Sequence, residues 1–283
     1  MGFWDRFLKM DRRWVFLMIG LSVLLPLVAG MSMPTRVTPP VQNLFDAINA
    51  IEPEGKPLLL SFDFDPSTEP ELLPMATAIL RNCFAKKIRV ILYGGLYPQG
   101  VGMAQLALEE VSEEFDVVSG VDYAFLGYVP GVGAVVLSMG EDIKRTFERD
   151  YYGVDLDSLP LLANVRNYED IPLVVDLSGS SIPILWVLYA GARYQQQVGV
   201  GTTAVSAAQY YPWLQTGQFV GMLGGLKGAA EYEKLNDQMG VRQARKRATI
   251  GMGSQSIAHL LIIVLIVLGN VGYFITRVRK RSE

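Results

Sequence analysis

One cysteine, Cys83, and one histidine, His259, are all that 283 residues supply of the two most reactive side chains. A lone thiol cannot close an internal disulfide, and Cys83 falls on the apolar spacing Leu72, Ala76, Ile79, Leu80, Cys83, which predicts core packing on a helix. His259 stands at the head of a long apolar run. The rest of the chain can therefore build no Ser-His-Asp triad, no Cys-His pair and no histidine-ligated zinc site. Positive charge is also thin: 25 Lys and Arg face 28 Asp and Glu, a formal net charge of -3. Those cations gather beside two apolar runs, leaving no broad basic field, so nucleic acid is not an expected partner.

Apolar residues are abundant: they make up 50% of the chain, and the mean hydropathy is +0.25. That balance is high for a soluble domain and directs attention to membrane segments. The run "WVFLMIGLSVLLPLVAG" carries no charge and is just long enough to span a hydrocarbon core of roughly 30 Å. Arg6, Lys9, Arg12 and Arg13 precede it, whereas only Arg36 follows before Lys56, which predicts a cytoplasmic N-terminus. A secretory signal peptide, with Ala29 and Gly30 near its cleavage point, is the competing reading.

A second uncharged run covers 257–276 and ends in Arg277, Arg279, Lys280 and Arg281. Together these runs predict a basic cytoplasmic N-terminus (1–13), a first transmembrane helix (14–31) and a linker with a short helix (32–56). An extracytoplasmic α/β domain (57–230), a polar helical stalk (231–256), a second transmembrane helix (257–276) and a basic cytoplasmic tail (277–283) follow. The expected location is the cytoplasmic (inner) membrane of a prokaryote, with both termini inside. Gly269 and Gly272 can allow close helix packing there, and Asn270 can hydrogen-bond between helices. The short tail suits anchoring or assembly better than direct signalling.

Between the runs, short continuous apolar segments alternate with helical ones. "KPLLLSFDFD" precedes "EPELLPMATAILRNCFAKK", "IRVILYGG" precedes "VGMAQLALEEVSEEF", "DYAFLGYVPG" precedes "VGAVVLSMGEDIKRTFERD", and "IPLVVDLSGS" precedes "SIPILWVLYAGARYQQQ". This predicts an α/β fold with a mainly parallel sheet and helices on both faces, Rossmann-like and doubly wound. "QVGVGTTAV" is a possible fifth strand despite its glycines.

In open parallel sheets, ligands bind beyond the carboxyl ends of the strands. A binding rim is therefore expected from Ser67, Thr68, Gly94, Gly95, Gly127, Gly131, Gly133, Ser178, Gly179, Ser180, Ser181, Gly201, Thr202 and Thr203. Asp63, Asp65 and Asp176 are the acids in this set, and Asp63 and Asp65, two apart, can offer oxygen ligands to a hard cation. "DFDPST" resembles the Asp-x-Asp opening of haloacid-dehalogenase-type phosphatases over those six residues. The resemblance implies a nucleophile at Asp63 and a proton donor at Asp65, but the later lysine and acidic pair of that family have no counterpart in the expected arrangement. Read alone, Asp65, Ser67 and Thr68 form a turn and cap before Glu69, Pro70 and Glu71. The glycines of "GYVPGVGA" and "DLSGSS" fit neither the dinucleotide fingerprint nor the P-loop and read as tight turns.

Two features suggest interfaces. Gly217, Gly221, Gly225 and Ala229 recur every four residues and predict a smooth helical stripe, for subunit contact or for packing inside the domain. Tyr210, Tyr211 and Trp213 cluster beside Pro212, as amphipathic rings do at protein, sugar or membrane surfaces. No catalytic set is complete, and no metal or cofactor is required. The expected function is a non-enzymatic binding or assembly subunit of a membrane complex, with membrane lipid and other subunits or copies of itself as partners. The alternatives are a membrane-tethered hydrolase of a phosphorylated or glycosidic envelope component, using Asp63, Asp65 and Asp176, and a solute-binding or scaffold partner of a transporter.

Overall fold

The computed structural model describes residues 3–32, 34–95 and 97–282 and divides into two units, Thr35–Ala248 and Met1–Pro34 with Thr249–Glu283. Met1, Gly2 and Glu283 in the expected cytoplasmic ends, Met33 in the linker and Leu96 lie outside the described residues.

The second unit is helical. α1 (Phe3–Leu8) is followed by α2 (Arg12–Val28), which Asp11 caps by accepting a hydrogen bond from Arg13 N at 2.9 Å. These helices pack against the long C-terminal helix in antiparallel sense: a Cβ on Gly253 would meet the Met31 carbonyl, and one on Gly272 would stand 2.8 Å from Trp4 Cε3. Gly272 thus gives way to a tryptophan, while Gly269 has no neighbour within 4 Å of an added Cβ. Asn270 donates to the Ile266 carbonyl of its own helix at 2.9 Å.

The first unit begins with α3 (Pro39–Asn49), whose buried Val41, Leu44, Phe45 and Ile48 recur at helical spacing. Then come β1 (Leu58–Asp63), α4 (Glu69–Ala85), β2 (Val90–Tyr93), α5 (Pro98–Ser112) and β3 (Tyr123–Phe125). α6 (Val132–Met139), α7 (Ile143–Phe147) and three 3-10 turns lead back to β4 (Val174–Ser178). α8 (Ile182–Trp186) passes through a π-turn into α9 (Ala192–Tyr194), and β5 (Val198–Thr202) follows. α10 (Tyr211–Gln215), β6 (Met222–Gly224) and α11 (Gly225–Gln238) complete the series before α12 (Arg247–Ser282).

All six strands are parallel, in the order β3-β2-β1-β4-β5-β6. That is the doubly wound Rossmann-like order, and it explains why β1 is buried on both faces and opens as the apolar run Leu58, Leu59, Leu60. The chain winds outward from β1 in one direction, then returns and winds outward from β4 in the other. The switch point therefore lies between β1 and β4. One sheet face carries Leu59, Ile91, Tyr93, Val174, Val198 and Val200 into a core with Val136, Met139, Ile143 and Trp186. The opposite face receives α3 and α4 closely, because Gly199 and Gly201 leave β5 bare there: a Cβ at Gly199 would strike Leu44, and one at Gly201 would strike Leu177 of β4 and crowd Met75.

Two expectations change. Gly217, Gly221, Gly225 and Ala229 form no helical stripe: Gly217 turns with φ +74°, Gly221 enters β6, and only at Gly225, φ +60°, does α11 begin. Phe219, Met222 and Leu223 are buried, so the stretch follows a strand's needs, and a four-residue glycine count cannot reveal that. The polar run after it is no exposed stalk either. Glu231, Glu233 and Asn236 are buried on α11, where Glu231 accepts from Thr38 N and Oγ1 at 2.7 and 2.6 Å, Glu233 from Ala248 N at 3.0 Å, and Asn236 donates to the Ala78 carbonyl at 2.8 Å. Hydropathy reads such residues as exposed because it cannot see the partners that make their burial affordable.

The segment after α11 is fixed by charge. Arg81, with no exposed side-chain surface, donates from Nε to Glu114 at 2.9 Å, from Nη2 to Glu114 at 2.5 Å and to Glu110 at 3.1 Å, and from Nη1 to the Arg245 carbonyl at 3.1 Å. Arg247 Nη2 meets the other oxygen of Glu110 at 2.9 Å. Burial opposes the Arg81 charge, and the two glutamates outweigh it, holding the guanidinium above its ordinary pKa.

Candidate functional site at the sheet switch point

Parallel register decides which side chains meet. Ser61 on β1 pairs with Asp176 on β4 and Tyr93 on β2, while Asp63 pairs with Ser178, and Ser178 with Thr202 on β5. Because strand side chains alternate, Ser61, Asp63, Tyr93, Asp176, Ser178 and Thr202 all project from the same face at the carboxyl ends. All six are buried, Asp63 at 1% exposure and Asp176 at 0%. Below them lies the apolar cluster with Trp186, whose ring packs edge-on against Tyr93.

The electrostatics are unusual for a sheet core. Ser61 Oγ donates to Asp63 Oδ2 at 2.6 Å. Neither oxygen of Asp176 meets an N–H or hydroxyl donor. What Asp176 faces is the carboxyl of Asp63, and two carboxyls can hydrogen-bond only when one holds a proton. Burial first, and the neighbouring Asp63 charge second, hold the Asp176 carboxyl well above the usual carboxylate range. The Tyr93 hydroxyl is raised likewise, by burial and then by the Asp63 charge. Tyr93 Oη and Trp186 Nε1 are further buried polar atoms without a hydrogen-bond partner.

The surrounding loops close tightly. Gly95, with φ +70°, carries the backbone past Asp63, so that an added Cβ would stand 2.7 Å from Asp63 Oδ1. Gly179 abuts Thr68, where a Cβ would approach Thr68 Cγ2 to 2.8 Å, bringing together the loops after β1 and β4. Ser178 Oγ accepts from Ser180 N at 3.1 Å, and the buried Tyr210 donates from Oη to the Ser180 carbonyl. Thr203 donates to Ser206 Oγ at 3.1 Å, and Gly94 N donates to the Gly127 carbonyl at 2.7 Å.

Asp63 and Asp65 do not share an environment. Asp65 is exposed, and its Oδ1 accepts from Ser67 N and Oγ at 2.8 and 2.6 Å. The Ser67 side-chain bond first, then its backbone bond, lowers the Asp65 pKa. This is the turn leading to Thr68, the residue before α4. Gly131 heads α6 with φ +109°, and a Cβ added at Gly133 would meet the Tyr189 ring at 3.0 Å rather than the acid pair. The aromatic cluster divides: Tyr210 is buried, Trp213 packs partly against the core, and Tyr211 is exposed.

Sequence reasoning grouped Asp63, Asp176, Ser178 and Thr202 on one rim but missed Ser61 and Tyr93. Their signal was available, since Ser61 lies two residues before Asp63 and Tyr93 ends its strand; what was missing was the register between strands. Compared with known protein families, with curated proteins and with solved structures, the chain has no match.

Proposed function

We propose that this chain is a membrane-tethered α/β domain that serves as a non-enzymatic binding or assembly subunit of a prokaryotic membrane complex. In this reading the domain lies outside the cytoplasm, and α2 and α12 both cross the bilayer with their outer ends in the cytoplasm. The carrying observation is α12. Its Arg247–Arg277 stretch is long and apolar enough to cross a membrane, and little of its apolar part is buried. α2, 17 residues long, is the proposed second span and packs antiparallel to α12 in the same unit. Leu260, Ile263, Ile266 and Phe274 each stand more than half exposed, and such a surface calls for lipid or for partner helices.

The test is capture from native membranes after crosslinking, with mass spectrometry of the partners. A reproducible set of membrane proteins, or multimers of the chain, is the expected result. A chain that remains alone after crosslinking and monomeric in mild detergent overturns the assembly reading. The compartment is tested separately with Val205→Cys, at a position 89% exposed. An impermeant thiol reagent should label it in cells whose outer barrier is opened but whose cytoplasmic membrane is intact; labelling only after lysis reverses the topology.

A second reading, a solute-binding partner of a transporter, is favoured by one observation: the acid pair lies at the sheet's switch point, where open α/β sheets hold ligands. The hydrolase reading that joins Asp63 to Asp65 gains no such support, because Asp65 is engaged in the turn before α4.

A further inference from the structure

We propose that the buried acid pair at the switch point binds one hard divalent cation of the Mg2+ or Ca2+ class, with Asp63 and Asp176 as its charged ligands and Tyr93 and Thr202 at its margin. Charge is the first argument. Asp63 and Asp176 are buried on one face of neighbouring strands, and burying two carboxyls is costly unless a proton or a cation neutralises them. A divalent ion balances two carboxylates in full. Chemistry is the second. The six polar side chains that share this face present only oxygen, the donor type that suits hard cations and not zinc or copper.

The third argument is independent of the acids. Tyr93 Oη is fully buried and without a hydrogen-bond partner, and the register sets Tyr93 and Asp176 on either side of Ser61 on one face. Buried hydroxyls ordinarily find a partner, so Tyr93 marks a place for something bound. A single water can satisfy a hydroxyl, but it supplies no charge to set two carboxylates side by side.

Among the described residues no three His, Cys, Asp or Glu side chains converge. With two formal charges rather than three or four, the expected affinity is modest, with a dissociation constant on the order of 0.1–1 mM. The inference goes beyond the assembly reading, and the two fail separately, since metal binding is measured on the purified chain without partners.

The experiment uses the full chain in mild detergent, stripped with chelator, and adds Mg2+, Ca2+ or Mn2+ alone. Equilibrium dialysis should give one ion per chain for at least one of the three. At about thirtyfold over half-saturation, the melting temperature followed by Trp fluorescence should rise by about 4–8 °C. Asp176→Asn and Asp63→Asn should abolish both effects, Thr202→Val should weaken binding, and Asp65→Asn should keep both. Should Asp176→Asn fail to fold, dialysis of the wild-type chain and of Thr202→Val still decides. No saturable binding to wild type at 10 mM of any of the three ions, or binding unchanged by Asp176→Asn, overturns the proposal.

Discussion

Replacing Arg81 with methionine tests the argument that charge, rather than apolar burial, fixes the segment between α11 and α12. Arg81 is fully buried, Glu114 is 6% exposed and Glu110 13%, and Arg247 supplies the second cation to Glu110. The four side chains form a neutral quartet. Arg81→Met keeps the length of the aliphatic stem but removes one cation, leaving Glu114 nearly buried without its bidentate partner and the Arg245 carbonyl without its donor. Breaking a buried pair from one side costs about 3–5 kcal/mol, because the stranded charge remains desolvated. For a domain of this size that is a fall in melting temperature of about 6–20 °C. The assay is thermal and urea unfolding of the full chain in detergent, with the double variant Arg81→Met/Glu114→Gln measured beside it. The double variant should recover at least about 1 kcal/mol, since neutralising Glu114 removes the stranded charge. A single variant within about 1 kcal/mol of wild type, or a double variant no better than the sum of its parts, refutes the reasoning.

Gly100 and Gly102, two apart on α5, should respond with opposite signs. A Cβ at Gly100 would collide with the backbone carbonyls of Phe62 and Gly94, so Gly100→Ala should destabilise by about 1–3 kcal/mol. Gly102 has open space, and Gly102→Ala should gain about 0.5–1 kcal/mol in the same unfolding titration. Asp65→Ala should stay within about 1 kcal/mol of wild type, as expected of an exposed turn acid; a larger loss would mean that it belongs to the buried site after all. Cys83 is fully buried, and burial raises its thiol pKa, so a maleimide should react with it only after denaturation; fast labelling of the native chain would contradict the packing of α4.

The parallel sheet was legible in the sequence because its strands are buried on both faces and stand out as short apolar runs, as at Leu58, Leu59 and Leu60. β5 was legible only in part, its two glycines weakening the pattern, and β6 was hidden behind a glycine spacing that imitated a helix. The acids of the candidate site were also readable, since they end strands. Their pairing was not: Asp63 seemed matched to Asp65 along the chain, but the neighbour that matters comes from β4, more than a hundred residues on. Polar residues such as Glu231 and Asn236 were placed in a stalk for a related reason. Their burial depends on partners that only the folded topology supplies.

The bare flank of β5 has an evolutionary corollary. With Gly199 and Gly201 giving Leu44 and Met75 direct access to the peptide plane, the first methyl group to arise at either position acts as a wedge between layers. Such a change can survive only if Leu44, for position 199, or Leu177 and Met75, for position 201, give way with it. Descendants of this chain should therefore vary at these sites in concert, and a lineage with alanine at 199 should carry a shorter side chain at 44.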